Sequence, residues 1–275
     1  MNLNELIYEI NKTKKYSSLY QPFLKRICSE EFVKYKKDKD KLKAVKNRLH
    51  IIYGAFFINI KDYNQNINAI TDKKETNEIE ILKLHASTNE RLPSIDEFYK
   101  FIFDNLNNNI KTEEINSILD IGCGFNPFSL PFIYSHHNRH SHSRLPNLKY
   151  YYALDIDLKL AGILNEYFKN TGLPPLAGCI DVMTENPKQR ADIAFLFKLI
   201  PTIENCKKGR GYELISQIDA KYITVTFPVK TLCGKDKGMA GNYAVSFEEN
   251  IDCGKFQILA KNIIGTELIY ILIKN

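Results

Sequence analysis

The chain has no tryptophan and only three methionines, and none of its six cysteines falls in a C-x-x-C pair or at zinc-ligand spacing. Cys28, Cys123, Cys179, Cys206, Cys233 and Cys253 therefore read as reduced thiols of a cytosolic protein, mostly buried small apolar residues. No apolar run approaches the roughly 18 residues of a membrane span, and the longest candidate, Ile51–Ile60, is about half that length. Met1-Asn-Leu-Asn-Glu-Leu6 is amphipathic and carries no signal-peptide core, so a cytoplasmic location without a membrane partner is expected. What is present is size and positive charge. With 275 residues, 44% of them hydrophobic, the chain can build one large domain, or a standard domain with a smaller one, and bulk disorder is excluded. The net charge of +6 is uneven: residues 1–50 hold 13 Lys/Arg against 6 Asp/Glu, a net +7, and the rest is about neutral. Basic charge gathered at one end suits a polyanion, RNA or an acidic membrane, and charge alone does not choose between them. For Lys34–Lys46 a solvated helical face fits equally well.

The first hundred residues read helical. Leu3, Leu6, Ile7 and Ile10 share one face, as do Leu42, Val45, Leu49 and Ile52. Asp62–Asn77 is polar and Asn-rich, a loop; a helix covers about 78–85, and Ser94-Ile-Asp-Glu97 fits a capping box opening another. From residue 117 onward strands and helices alternate, with strands near 117–121, 150–154, 176–180, 193–199, 222–227, 256–261 and 267–273 and helices at 127–134, 158–170 and 209–218. Such alternation implies a mostly parallel sheet covered on both faces, the last two strands forming an antiparallel pair. The segment Ser135–Pro146 carries four of the six histidines (His136, His137, His140, His142) with no acidic or Cys partner beside them, and reads as a solvated loop instead of a metal site. No metal is expected.

Ser117-Ile-Leu-Asp-Ile-Gly-Cys-Gly-Phe-Asn-Pro127 is a short buried strand running into a glycine turn. Gly122 and Gly124 can take positive φ and lie close to a ligand, and Asp120 can accept hydrogen bonds inside the loop. This is the strand–loop–helix geometry that holds an adenosine-type cofactor at the carboxyl edge of a doubly wound sheet. The third glycine of the dinucleotide pattern is replaced by Asn126-Pro127, so no pyrophosphate is favoured, and D-x-G-C-G is the form associated with S-adenosylmethionine-dependent methyltransferases. Asp155, directly after the apolar run Tyr150–Leu154, is placed to bond the ribose hydroxyls; Asp157 suits a helix N-cap better. Asp181 stands at the third strand tip, where a carboxylate meets the adenine amino group, with Val182 against the ring. The fourth strand ends in Phe197-Lys-Leu-Ile-Pro201, at the edge that faces the transferring methyl and its acceptor.

Six stretches in order carry a closer resemblance: Leu84-His-Ala-Ser-Thr-Asn-Glu-Arg-Leu92, Leu119-Asp-Ile-Gly-Cys-Gly-Phe-Asn-Pro127, Phe197-Lys-Leu-Ile-Pro201, Thr226-Phe-Pro228, Lys237-Gly-Met-Ala-Gly-Asn-Tyr243 and Ile264-Gly-Thr-Glu-Leu-Ile-Tyr270. The chain resembles the aminoglycoside-resistance 16S rRNA methyltransferases of the Arm/Rmt and Sgm/Kgm type, which methylate guanine N7 at position 1405 of the decoding site. The resemblance implies an α/β fold, a Rossmann-like class I methyltransferase sheet at 91–275 behind an N-terminal all-helical domain at 1–90 that docks on rRNA. It implies S-adenosylmethionine as cofactor and 16S rRNA within the 30S subunit as partner, with the chain a monomer. His85, Ala86, Ser87 and Arg91 would close over the cofactor, Arg91 pairing its methionyl carboxylate. Gly122, Asp155, Asp181, Val182, Phe197 and Cys206 map to cofactor-contacting positions. Lys198 would orient the target guanine, and Lys230, Lys235 and Lys237 would approach the target nucleotide. With the cofactor residues beginning at His85, removal of residues 1–75 should spare cofactor binding.

Three other readings stand beside this one. Adenine N1 methylation in the same decoding site belongs to a group without the Lys-Gly-Met-x-x-Asn-Tyr segment. A small-molecule methyltransferase would not need a basic helical extension. A ribosome factor that binds the cofactor without catalysis would not need Gly122, Gly124, Asp155 and Asp181 all intact.

Overall fold

Strands β1 (Ser117–Ile121), β2 (Tyr150–Asp155), β3 (Ala177–Cys179), β4 (Arg190–Phe197), β5 (Asp219–Pro228), β6 (Phe256–Ile264) and β7 (Glu267–Lys274) join in one sheet, ordered β3-β2-β1-β4-β5-β7-β6. The computed structural model describes residues 1–54, 56, 77–111, 114–134, 145, 147–229 and 238–275. β1 to β5 run parallel, and β7 pairs antiparallel with both β5 and β6. Side chains alternate between two cores, as a sheet buried on both faces requires. Ile118, Tyr151, Ile193, Phe195 and Phe197 face one core with the helices Ile95–Asn107 and Leu158–Asn170. Leu119, Ile121, Ala194, Leu196 and Val225 face the other, with the helices Leu199–Cys206, Arg210–Gln217 and Met239–Asn250. Because the strand order runs outward in opposite directions from β1 and β4, a crevice opens at their carboxyl ends.

Every strand expected from the sequence forms, most of them a residue or more longer than the pattern indicated. Within the sheet half of the chain, two described helices were not expected. Leu199–Cys206 contains Pro201, a punctuation mark that is harmless here because the first turn of a helix has amide groups without intrahelical acceptors. Met239–Asn250 begins after Gly238 at φ 65 and holds Gly241, which hides it from a pattern search. The capping box at Ser94 does not form: the helix starts at Ile95, with no side-chain cap bond, and Ser94 Oγ donates to Arg91 O instead. The expected loop at 62–77, apart from Asn77, and the His-rich segment at 135–146, apart from Leu145, lie outside the described residues.

Ahead of the sheet, the helices Leu3–Asn11, Gln21–Phe32 and Asp38–Leu49 pack around Leu6, Ile10, Phe23, Leu24, Val45 and Leu49. The first helix carries a complete capping box between Asn2 and Glu5. This cluster extends to Tyr53, whereas from Ile81 onward buried apolar residues join the sheet's core. The boundary expected at 90 falls inside the short helix Ala86–Arg91. The helical cluster is fastened to the sheet edge: Tyr20 N donates to Ile156 O and Leu158 N donates to Ser18 O, both at 2.8 Å. Lys34, Lys36, Lys37, Lys39, Lys43 and Lys46 are exposed on its outer side. No described helix is long and apolar enough to cross a membrane.

Candidate functional site

The glycine loop after β1 is folded by its own residues. Gly122 sits at φ 64 and Gly124 at φ 48, conformations that a side chain would strain. A Cβ at Gly122 would lie 2.8 Å from Leu199 Cδ1, and one at Gly124 3.1 Å from the His85 ring. The amides of Gly122 and Cys123 donate to Leu154 O at 2.8 and 3.1 Å, tying the loop to the end of β2. Asp120 accepts from Asn126 Nδ2 at 2.8 Å and from the Tyr151 hydroxyl at 2.7 Å. Burial raises its carboxyl to about 6, against the pull of those two donors and of Arg91.

Beside the loop lies a cleft that opens to solvent, with about 1140 Å³ of empty space counting its open mouth. It is lined by His85, Ser87, Arg91, Gly122, Asp155, Asp181, Val182, Phe197, Lys198 and Cys206, so ten of the expected cofactor and catalytic positions meet there. Ala86 does not line it; its amide instead donates to Phe56 O at 2.8 Å. Lys230, Lys235 and Lys237 lie outside the described residues.

Asp155, half-buried at the tip of β2, accepts from Gly124 N at 2.8 Å and Ile156 N at 2.7 Å, and burial raises its carboxyl to about 6. Asp157 caps the helix Leu158–Asn170 through Lys159 N and Leu160 N, and accepts from the Tyr53 hydroxyl. Asp181, at the third tip, holds a partner with no signal in local spacing: Arg26, with Nε on Oδ2 at 2.6 Å and Nη2 on Oδ1 at 3.0 Å. His85 is stacked between Phe56 and Phe125, with ring centroids 5.6 and 5.1 Å away. Burial, together with the charges of Lys198 and Arg91, lowers its imidazole to about 3, so it is uncharged at neutral pH.

At the other end Arg91 is 2% exposed and lies over the rings of Phe98 and Phe197, at 4.4 and 4.7 Å. Its fork is engaged: Nε and Nη2 bond Glu267 at 2.8 and 3.1 Å, and Nη1 bonds Asn126 Oδ1 at 2.6 Å. A guanidinium taken out of water needs a carboxylate, and β7 supplies it. The pairing expected with a cofactor carboxylate would therefore be shared with Glu267. Burial pushes Glu267 up, but the charges of Arg91 and Lys198 outweigh it and hold the carboxyl below its ordinary range. Lys198 sits at φ 55, left-handed although not glycine, with its amide on Thr226 O and Oγ1, both at 3.0 Å. Its ammonium bonds Glu90 at 2.7 Å and lies 3.7 Å from Glu267.

The cleft suits an adenosine-type cofactor. It has glycine backbone in its lining at Gly122 and Gly124, apolar walls at Val182, Leu199 and Ile203, and acceptors at the tips of β2 and β3. Phe23, Arg26, Ile52 and Tyr53 also line it, and sequence reasoning missed all four. Among the described residues, no three His, Cys, Asp or Glu side chains gather as metal ligands do.

Comparison with known proteins adds the following. The family model described as ribosomal RNA methyltransferase (FmrO) matches residues 12–271. A 16S rRNA (guanine(1405)-N(7))-methyltransferase of Serratia marcescens is 32% identical over 277 aligned positions, covering 100% of both chains. One from Micromonospora rosea is 29% identical, over 99% of this chain and 97% of that one. Among solved structures, the 16S rRNA methyltransferase RmtF in complex with S-adenosyl-L-homocysteine has a TM-score of 0.84 at 27% identity, covering 100% of both chains. The 16S rRNA methylase RmtB has a TM-score of 0.78 at 29% identity, covering 100% of this chain and 99% of that one.

Proposed function

The chain belongs to the FmrO family of ribosomal RNA methyltransferases, and on that premise we propose that it transfers a methyl group from S-adenosylmethionine to N7 of guanine 1405 of 16S rRNA, in the cytoplasm, as a monomer acting on the 30S subunit. The observation that carries the reading is the cleft: a glycine loop tied to Asp155 through Gly124 N, a second carboxylate at Asp181, and a fixed lysine at the tip of β4.

Bound there, S-adenosylmethionine would supply an electrophilic methyl group on a sulfonium. The chain's own residues bind, align and exclude water. Asp155 accepts from the ribose hydroxyls and Asp181 from the adenine amino group, with Val182 against the ring. His85, an uncharged flat ring between two others, covers Gly124 and closes that side. Arg91 braces the loop through Asn126, which in turn holds Asp120. Guanine N7 has a free lone pair at neutral pH, so no side chain needs to take a proton from it before attack; the contribution is alignment in a dry site. Lys198 donates to the guanine oxygen on the same edge, and Glu90 and Glu267 offset the positive charge that N7 acquires. The target base must leave its stack to reach this pocket. The exposed lysines of residues 34–46 provide phosphate contacts for docking.

The test is to express the chain in a susceptible bacterium and to map 16S rRNA by primer extension and mass spectrometry, with Asp155→Ala beside it. Methylation of guanine 1405 at N7 with resistance to gentamicin and kanamycin is expected, and little resistance to apramycin. A methyl group on adenine N1 with strong apramycin resistance would overturn the guanine assignment.

A further inference from the structure

Arg26 belongs to the basic helical module, yet its guanidinium reaches the third strand tip of the sheet and takes both oxygens of Asp181. The pair is well removed from water, the side chains being 13% and 2% exposed. Arg26 is itself held: its Nη1 bonds Glu30 at 3.0 Å, one turn along the same helix, and Glu30 also meets Arg48 of the next helix at 2.5 Å. A guanidinium fixed by a carboxylate on its own helix presents its remaining edge as a rigid bidentate donor.

An aspartate carboxylate offers about four acceptor sites. Arg26 Nη2 and Met183 N, at 3.0 and 3.2 Å, fill Oδ1, and Arg26 Nε fills one side of Oδ2. Among the described residues this leaves one acceptor site, on Oδ2, and both Arg26 and Asp181 line the cleft. We infer that Arg26 is a positioning residue for the cofactor: it orients Asp181 so that a single acceptor faces the adenine amino group, making the site selective for a purine that carries a donor there. The inference rests on the cofactor reading above, with Asp181 at adenine. It also makes the helical module a wall of the cofactor site as well as a docking surface.

The experiment compares two ligands by calorimetry on the full chain: S-adenosylhomocysteine, and its hypoxanthine analogue with a keto oxygen in place of the amino group. A site that offers only an acceptor should reject the keto oxygen, and the wild-type affinity ratio is expected to be about 30-fold or more. In Arg26→Gln the ratio should fall below about 5-fold, because Asp181 loses its orientation; Arg26→Lys, with a single ammonium in place of the fork, should fall between. A purely structural loss would weaken both ligands alike and leave the ratio unchanged. A wild-type ratio in Arg26→Lys, and in Arg26→Gln where that variant folds, overturns the positioning role. If wild type does not discriminate, or Asp181→Asn leaves the ratio as it was, the failure lies with Asp181 at adenine and the two ideas are told apart.

Discussion

The two ends of the cleft are built in opposite ways. At the end formed by β2 and β3, carboxylates stand at strand tips with backbone or cross-module donors on part of their acceptor capacity, and the rest faces the cleft. At the end formed by β4 and β7, Arg91, Glu267, Asn126, Thr226 and Lys198 satisfy one another: Thr226 Oγ1 donates to Glu267 at 2.6 Å, and the Tyr99 hydroxyl donates to Asn126 at 2.9 Å. The first arrangement leaves acceptors free for a ligand. The second forms a rigid block against which two reactants can be aligned. Substitutions should therefore divide, with affinity lost at one end and stability at the other.

Glu267→Ala should give the largest effect. It strands the Arg91 guanidinium in the interior, and breaking a buried pair from one side costs about 3–5 kcal/mol. For a chain of this size the melting temperature should fall by about 10 °C. Chemical denaturation showing less than about 1 kcal/mol of destabilisation would mean that the β4–β7 end is not the structural block.

Asp155→Ala probes the opposite end. The folded chain should persist while cofactor affinity falls about 10- to 150-fold, the equivalent of about 1.5–3 kcal/mol for a hydrogen-bonding charged group. Calorimetric affinity within about threefold of wild type would erase the distinction between the ends.

The two ends were also unequally legible in the sequence. Asp155 and the glycine loop could be read because their signals are local: an apolar strand, a turn, an acid at the tip. The strand tips follow from the same alternation, and all seven strands form, although β4, expected to run to 199, ends at Phe197 and gives way to the helix that opens at Leu199. Arg26 with Asp181 and Arg91 with Glu267 join residues 155 and 176 positions apart, and neither pair leaves a trace in spacing or composition. The left-handed backbone of Lys198 is likewise set by tertiary bonds to Thr226, not by local preference. The same blindness explains the expectation that residues 1–75 could be removed without touching cofactor binding. Phe23, Arg26, Ile52 and Tyr53 line the cleft, so that removal takes away one of its walls.

Acidification should separate affinity from stability at the β2 end. Burial raises Asp155 and Asp120 from an ordinary value of 3.8 to about 6. Below that, Asp155 takes up a proton and can no longer accept from both hydroxyls, so affinity should drop by about tenfold per pH unit and level off above about pH 7. Stability runs the other way for these two groups. Between 3.8 and about 6 the folded chain binds their protons more readily than the unfolded chain, so lowering the pH across that window favours the fold. His85, lowered to about 3, takes no part in this range. Titration calorimetry from pH 5 to 8 checks the profile, and Asp155→Asn should flatten it; an equally steep profile in that variant would assign the proton elsewhere.

The smallest effect is expected from Glu90→Gln, at the β4–β7 end but on its outer side. Glu90 is 31% exposed, so solvent screens its 2.7 Å contact with the Lys198 ammonium, and the neutral amide keeps the shape of the carboxylate. Lys198 retains Glu267 at 3.7 Å, and its amide still donates to Thr226 O and Oγ1. Stability should change by less than about 1 kcal/mol and cofactor affinity by less than about twofold. Methyl transfer is where the substitution should register, because Glu90 fixes the ammonium that faces the target base, and kcat should fall severalfold with KM for the cofactor unchanged. A stability loss as large as that of Glu267→Ala would extend the buried block out to Glu90, whereas an unchanged kcat would confine the working part of that end to Lys198 and Glu267.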